Sequence, residues 1–567
     1  MKKLLFLILF IAQLSFAKNV NLVQNGKTDF QIVIPLKKTE SEWNAAFLLK
    51  KYIDLMAGVA IPVVYDNEAT RKNEILVGKT NRSTFINTYS LQPDAIVIRS
   101  NNGKIYITGG ERKGVLYATS TFLEDFLKIK KFTKDFEVIP FSKNISVPST
   151  INIAHTPPFI YRTTYFEDSE NLNYADWHKL NYFFEERRNF AHSFNQYLPD
   201  SLFKTHPEYF ALVDGKRTPV QPCLSNPDVY KIMKTNLIKE MVKYPNFEVW
   251  SISATDDGTY CHCNLCEPKN KAGNGFIETL MPFVNKFAKD FPNKTISTLA
   301  YRQSIEPSKF VKPLPNVEIM LCYTHINRGV PIATGPENAV FFRNITSKWK
   351  AQTNNIFVWD YVINYLNTLS PFPNLQVLQP NVQYLRDQNI KSVFLQGSGA
   401  QKSEFNELKC YLIAKLLWNP DINIQQVQNE FIDAYYGAGA PEIKQYIAAM
   451  QTEVKKHNAI VDIWADPKLN KNDFLSDANI AKYRQILNRA LDKTKNNPTI
   501  YNRILKEKLS VDYAEIQTSS DQLKAKFGKK ATKTVTDFTE AATKAGIIYL
   551  KNGEQSPIQY KEKLLSK

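Results

Sequence analysis

Phe247-Glu-Val-Trp-Ser-Ile-Ser-Ala-Thr-Asp-Asp-Gly-Thr-Tyr-Cys-His-Cys-Asn-Leu-Cys266 decides how the chain is read. It begins as an apolar strand and ends in two carboxylates, a glycine and three closely spaced cysteines. Buried strands that hand over to polar loops are where large α/β enzymes carry their chemistry, so an enzyme is expected.

Similar short apolar runs flank this one: Phe159–Thr163, Thr295–Tyr301, Val317–Tyr323, Ile356–Tyr361 and Ser392–Gln396. Apolar residues at helical spacing separate many of them, over 229–242, 276–291 and 374–387. This alternation predicts a (β/α)8 TIM-like barrel over 149–435, with the polar and aromatic residues that end the strands gathered at one mouth. Before it, 18–148 reads as a small α/β domain with helices over 41–57 and 112–127 and no phosphate-binding loop. After it, 436–567 carries only helical periodicity and is expected to form a helical domain without a catalytic motif.

Met1-Lys2-Lys3, an apolar run to Leu14 and Ser15-Phe16-Ala17 make a secretory signal peptide over 1–17, cut after Ala17. It is too short for a membrane anchor, so a periplasmic or secreted protein with no transmembrane segment is expected. The formal net charge of +17 is spread along the chain. No recognition-helix or zinc-finger spacing accompanies it, so nucleic acid is not an expected partner.

Asp256 and Asp257 follow a strand, and Asp360 ends another, so these three are the candidate catalytic acids. Glycoside hydrolysis uses two carboxyl groups, or one with a substrate acetamido group oriented by a second. The competing reading of Asp256-Asp257-Gly258 is a solvated turn. Glu306 and Glu404 are weaker candidates. His192, His206, Asn226, Tyr301, Arg302, Tyr323, His325, Trp359, Tyr361, Asn364 and Gln396 supply the aromatic faces and polar groups of a carbohydrate cleft. Asn226 before Pro227 equally suits a helix cap, and each aromatic alone suits a core. Cys261, Cys263 and Cys266 form a structural zinc site if Cys223 or His262 completes a tetrahedral set, with a disulfide as the competing reading in an oxidising compartment. No cofactor is required for the chemistry.

His206-Pro-Glu-Tyr-Phe-Ala-Leu212, Cys223-Leu-Ser-Asn-Pro227, Asp257-Gly258 with the three cysteines, and Trp359-Asp-Tyr361 carry a family likeness. Over most of 20–440 the chain resembles the Bacteroidetes DUF4838 family linked to glycoside hydrolase family 163. The small first domain resembles the one that precedes the barrel in α-glucuronidases and β-hexosaminidases. The resemblance implies an endo-β-N-acetylglucosaminidase acting on oligosaccharide or glycoprotein glycans, retaining and assisted by the substrate acetamido group. One acid of Asp256/Asp257 would orient that group and the other protonate the leaving oxygen, with Asp360 open to either role. The family pattern implies a glutamate before the Gln-Gly pair, where this chain has Leu395-Gln396-Gly397. That departure keeps a non-catalytic glycan-binding protein in play. An α-glucuronidase-like exo-glycosidase is the third reading, with Arg302 or Arg328 receiving a substrate carboxylate.

Overall fold

A computed structural model describes residues 19–83, 90–182, 185–551 and 553–566. The expected signal peptide lies outside the described residues. The chain divides into two compact units, Met1–Lys131 with Asp135–Pro157, and Phe132–Lys134 with Pro158–Lys567.

The first unit is built on a six-stranded sheet. Its strands Gln31–Ile34 and Glu74–Val77 are buried at every position, as apolar strands covered on both faces must be. Helix Glu40–Ala57 starts in a capping box in which Thr39 and Glu42 satisfy each other's backbone N–H. Strand Asn152–His155 pairs antiparallel with Ile96–Asn101, which carries this unit to Pro157. Gly110 answers to close packing: a Cβ there would lie 1.9 Å from the Gln92 carbonyl oxygen.

The second unit holds seven parallel strands in the order Tyr161–Phe166, Ser392–Gly399, Ile356–Tyr361, Val317–Cys322, Thr295–Ala300, Val249–Ser251, Arg187–Arg188. The expected strand-helix alternation is present, but a closed eight-stranded barrel is not: among the described residues the sheet curls and stays open between Tyr161–Phe166 and Arg187–Arg188. The local reason is the segment after helix Leu172–Trp177. Asn181 bonds Arg162 with its own N–H and with its side-chain oxygen, both at 2.8 Å, so a side chain takes part of the place of a strand ladder.

Side chains bridge the opening. The Arg187 guanidinium, on one edge strand, lies 4.5 Å from the Tyr161 ring on the other edge and 4.6 Å from Phe357. It also makes two 2.6 Å bonds to Glu318 in the middle of the sheet. Only the inside of a curl lets one side chain reach all three, so Tyr161, Glu318 and Phe357 mark the inner face. Side chains alternate along a strand, which puts Trp359 and Tyr361 on that face with Phe357, and Cys322 with Glu318. Phe190 fills the middle, 5.2–5.7 Å from Phe357, Trp359 and Phe394. A hollow of about 580 Å³ opens at the N-terminal strand ends, lined by Tyr161, Arg187 and Glu318 among others. That is the end which serves stability in barrels of this kind.

The helices Asn406–Trp418, Ile424–Tyr436, Ala440–His457, Asp477–Thr494 and Pro498–Thr518 belong to the same compact unit as the parallel sheet. Glu507, fully buried on the last of these, accepts from the Phe405 N–H and the Tyr436 hydroxyl. Helix 498–518 thereby fixes the turn that follows the final strand, where Phe405 is held at φ 53°. No helix among the described residues is long and apolar enough to cross a membrane.

Candidate functional site

The C-terminal strand ends carry the mouth. Its floor is set by inner-face residues at the tops of their strands: Tyr301 just past Thr295–Ala300, Cys322, Tyr361, Gln396, and Tyr165 by alternation from Tyr161. Trp359 Nε1 donates to Gln396 Oε1 at 2.8 Å, and Trp359 lies nearly parallel to Tyr361 with centroids 6.0 Å apart. These contacts fix flat ring faces at the base of the opening.

Asp256 reaches over this floor. Its carboxylate is half-exposed and lies 3.4 Å from Arg302. The Tyr301 hydroxyl is raised by burial and then by the charge of Asp256. The Cys322 thiol is raised by burial, then by Asp360 and, more weakly, Asp256. Arg302 sits in the left-handed region at φ 47°, with its guanidinium 5.2 Å from the Tyr301 ring. The loop bearing Asp256 is pinned from behind by His192, whose Nδ1 is 2.8 Å from the Ala254 carbonyl oxygen.

Asp257 points elsewhere. It accepts from Gln221 Nε2 at 2.5 Å and from the Thr259 hydroxyl, which ties the turn to the hairpin Phe210–Val213/Lys216–Pro222. Asp360 alternates with Trp359 and Tyr361 and so belongs to the outer face. It is buried and meets Arg328 at 2.6 Å. The structure thus brings Asp256 to the mouth, makes Asp257 a brace of its loop, and leaves Asp360 behind the floor. Glu306 pairs with Lys348 on the surface, and Glu404 is buried against Tyr446 and the Phe372 N–H.

The polar candidates divide likewise. Asn364 spans the loop after Ile356–Tyr361, donating to Ala465 and accepting from Asn367. Tyr323 alternates away from Cys322 and packs on Phe341, with exposed His325 beside it. Asn226 caps helix Pro227–Lys243 through the Asp228 N–H and donates to the Glu208 carbonyl. His206 pairs with Glu208 at 3.0 Å and stacks on Tyr209, away from the inner-face rings.

Glu170 was not singled out by the sequence. It stands in the turn after Tyr161–Phe166, where burial raises its carboxyl and leaves Oε1 without a hydrogen-bond partner. Its charge in turn raises the inner-face Tyr165, after burial. Nothing in Glu167-Asp168-Ser169-Glu170 distinguishes this acid from its neighbours. Burial also raises Asp168 in the same turn, so what sets Glu170 apart is its charge on the inner-face Tyr165.

Behind the Asp256–Asp257 turn, Cys223, Cys261, Cys263 and Cys266 are all buried, with their sulfurs within 4.8 Å of one another. Cys223 lies 3.6 Å from Cys263 and 3.9 Å from Cys266. Bonds of about 2.3 Å to a tetrahedral metal put sulfurs about 3.8 Å apart, whereas a disulfide needs about 2.05 Å. All six cysteines are free thiols, so the four could hold a metal. The Leu212 N–H and Arg217 Nη1 approach Cys261 Sγ at 3.4 and 3.8 Å. The Cys261 thiol is held far below its ordinary range by hydrogen bonds from Cys223 and Cys266. His262 turns to Glu267 at 2.6 Å and is not part of the group.

No curated protein matches the chain by sequence. Among solved structures, its fold is similar to that of a family GH115 4-O-methyl-α-glucuronidase with specificity for decorated arabinogalactans. The TM-score is 0.53 at 12% identity, over 94% of this chain and 79% of that one. CpGH84B aligns with a TM-score of 0.49 at 12% identity over 97% and 98% of the two chains. A GH138 enzyme targeting pectin rhamnogalacturonan II aligns with a TM-score of 0.42 at 9% identity over 95% and 78%. The model of the family described as Domain of unknown function (DUF4838) matches residues 131–448, more than half of the sequence, and the chain belongs to that family.

Proposed function

We propose that the protein is an exported glycoside hydrolase acting on amino-sugar-containing glycans, with Asp256 as one carboxyl of the reaction and Glu170 as the other. The observation that carries this reading is the half-exposed Asp256 carboxylate above a floor of fixed rings: flat faces bind the apolar faces of sugars, and an acid over them is placed to serve a glycosidic oxygen. Glu170 fits the second role because burial favours its protonated form, as a proton donor requires. The fold shared with a glycosidase is compatible with this, although fold alone does not assign a reaction. Endo-acting release from N-glycans, assisted by the substrate acetamido group, is the specific form proposed.

A binding protein without turnover is the second reading, raised by the departure from the family pattern at Leu395. Its backbone pairs in register with Asp360 and its side chain is buried on the outer face, so a glutamate there would stand behind the floor and its absence alone takes no acid from the mouth. The exo-acting reading is weakened because Arg328 is fully buried on Asp360 and on the carbonyls of Thr324, Ile326 and Tyr361. Of the two arginines expected to meet a substrate carboxylate, that leaves Arg302.

Zinc is the metal proposed for the four cysteines. Bound there, it would hold the hairpin and the Asp256–Asp257 turn together and take no part in the reaction.

The test is incubation with N-glycoproteins and amino-sugar oligosaccharides, with mass analysis of products. Release of a reducing oligosaccharide, reduced about 10²–10⁴-fold in Asp256→Asn and in Glu170→Gln, is the expected result. Saturable binding without release would move the assignment to the second reading.

A further inference from the structure

The mouth is completed by a part of the chain far from the strands. After helix Ala440–His457, the segment Ala459-Ile-Val-Asp-Ile-Trp-Ala-Asp466 runs along the loops that follow Val317–Cys322 and Ile356–Tyr361. The Arg328 N–H donates to the Val461 carbonyl at 2.8 Å, and Val461 N–H returns to Asn327 Oδ1 at 2.9 Å. The N–H groups of Tyr365 and Leu366 both donate to Ile463, at 2.8 and 2.9 Å, while the Asn364 and Asn367 side chains both donate to Ala465. Asp462 accepts from the Trp464 N–H at 2.7 Å and closes the turn. Val461 and Ile463 are buried as anchors, and Trp464 is left 37% exposed between them and solvent.

The rings are continuous. Phe394 lies 5.5 Å from Trp359, Trp359 6.0 Å from Tyr361, Tyr361 5.2 Å from Tyr365, and Tyr365 5.3 Å from Trp464. The last two contacts are edge to face, at 75° and 82°, so the rings brace one another in series and leave Trp464 at the end exposed. A lone exposed tryptophan needs no explanation. One fixed by bonded backbone on both sides, at the outer end of such a series, presents an apolar face whose order is already built into the fold, and binding to it costs little further ordering.

We infer that Trp464, with Tyr365, forms a sugar-stacking subsite at the outer end of the mouth, holding a unit of the glycan remote from the bond that breaks. This rests on the carbohydrate reading of the mouth and adds a binding residue to it. Trp464 is a specificity-determining residue by this inference: it touches a sugar remote from the bond that breaks.

The experiment compares the wild-type full chain with Trp464→Ala and Trp464→Phe. Calorimetry uses N-glycan, chitin-derived and arabinogalactan-derived oligosaccharides with their matching disaccharides, and product release is followed in parallel. The expected result is an affinity for the long ligand lowered about tenfold in Trp464→Ala, largely retained in Trp464→Phe, with the disaccharide unaffected. Equal affinity of wild type and Trp464→Ala for the long ligand overturns the subsite, as does an equal loss for long and short ligands. Release by the wild type with an unchanged KM in Trp464→Ala leaves the hydrolase reading standing and removes the subsite. Binding lost in Trp464→Ala, with no release by any variant, keeps the subsite and removes the hydrolase. A wild type that binds none of these sugars overturns both.

Discussion

Asp360 and Arg328 face each other at 2.6 Å, both buried, and the same guanidinium holds the carbonyls of Thr324, Ile326 and Tyr361. One ion pair thus joins the loop after Val317–Cys322 to the end of the neighbouring strand Ile356–Tyr361. Removing one partner leaves a buried charge uncompensated, so Asp360→Asn is expected to lose about 3–5 kcal/mol of stability in urea unfolding. Asp256→Asn, at a half-exposed position, is expected to stay within about 0.5 kcal/mol of wild type while losing turnover. A Asp360→Asn variant as stable as wild type would show that the pair does not organise the mouth.

Arg187, which reaches Tyr161 across the open side of the sheet, is held at the other end of the strands by Glu318. Glu318→Gln is expected to destabilise the protein by a similar ~3–5 kcal/mol, whereas the double replacement Arg187→Met with Glu318→Leu recovers most of the loss because no charge is then stranded. Glycan binding by the double variant should match wild type, measured by calorimetry. Loss of binding at full stability would mean that the hollow at the N-terminal strand ends belongs to the site.

Metal analysis of the purified protein is expected to give about one zinc per chain, with the six buried thiols all becoming reactive only after denaturation in a chelator. Cys263→Ser should lower the zinc content and loosen the hairpin, visible as faster proteolysis between 206 and 266. A protein with no metal whose thiols react without denaturant would contradict the site.

Glu507 is raised from the ordinary range to about 7 by burial, with Glu407 and Glu404 adding to burial and Lys506 opposing it. The folded state therefore keeps its proton where the unfolded chain has lost it. The stabilisation is complete below the unfolded value near 4.5 and is lost as pH rises toward 7, by at most ~1.4 kcal/mol per pH unit. Chemical unfolding between pH 4.5 and 7.5 should show this fall in wild type and a flatter profile in Glu507→Gln. Equal slopes in the two proteins would assign the titration to another group.

Strands, helices and their alternation were legible because burial on both faces of a parallel sheet writes continuous apolar runs, and helices write a 3.6-residue period. The four-cysteine group was legible in part. Cys-x-Cys-x-x-Cys fixes three sulfurs locally, but Cys223 arrives from a separate hairpin, and only the fold brings it to 3.6 Å from Cys263 and 3.9 Å from Cys266. The acids were the least legible. Asp256, Asp257 and Asp360 look alike in sequence, yet a one-residue step decides whether a side chain enters the curl or leaves it.

By itself the sequence determined the elements, the apolar strands and the short-range cysteine spacing, since these depend on neighbours a few residues apart. The tertiary structure alone decided that the sheet stays open beside Arg187, that Asp360 is sealed on Arg328, and that Trp464 packs against Tyr365. Those facts depend on strand alternation, the direction of curl and contacts between residues well separated in sequence, such as Arg328 with Asp360 and Tyr365 with Trp464, where local physics leaves no periodic mark.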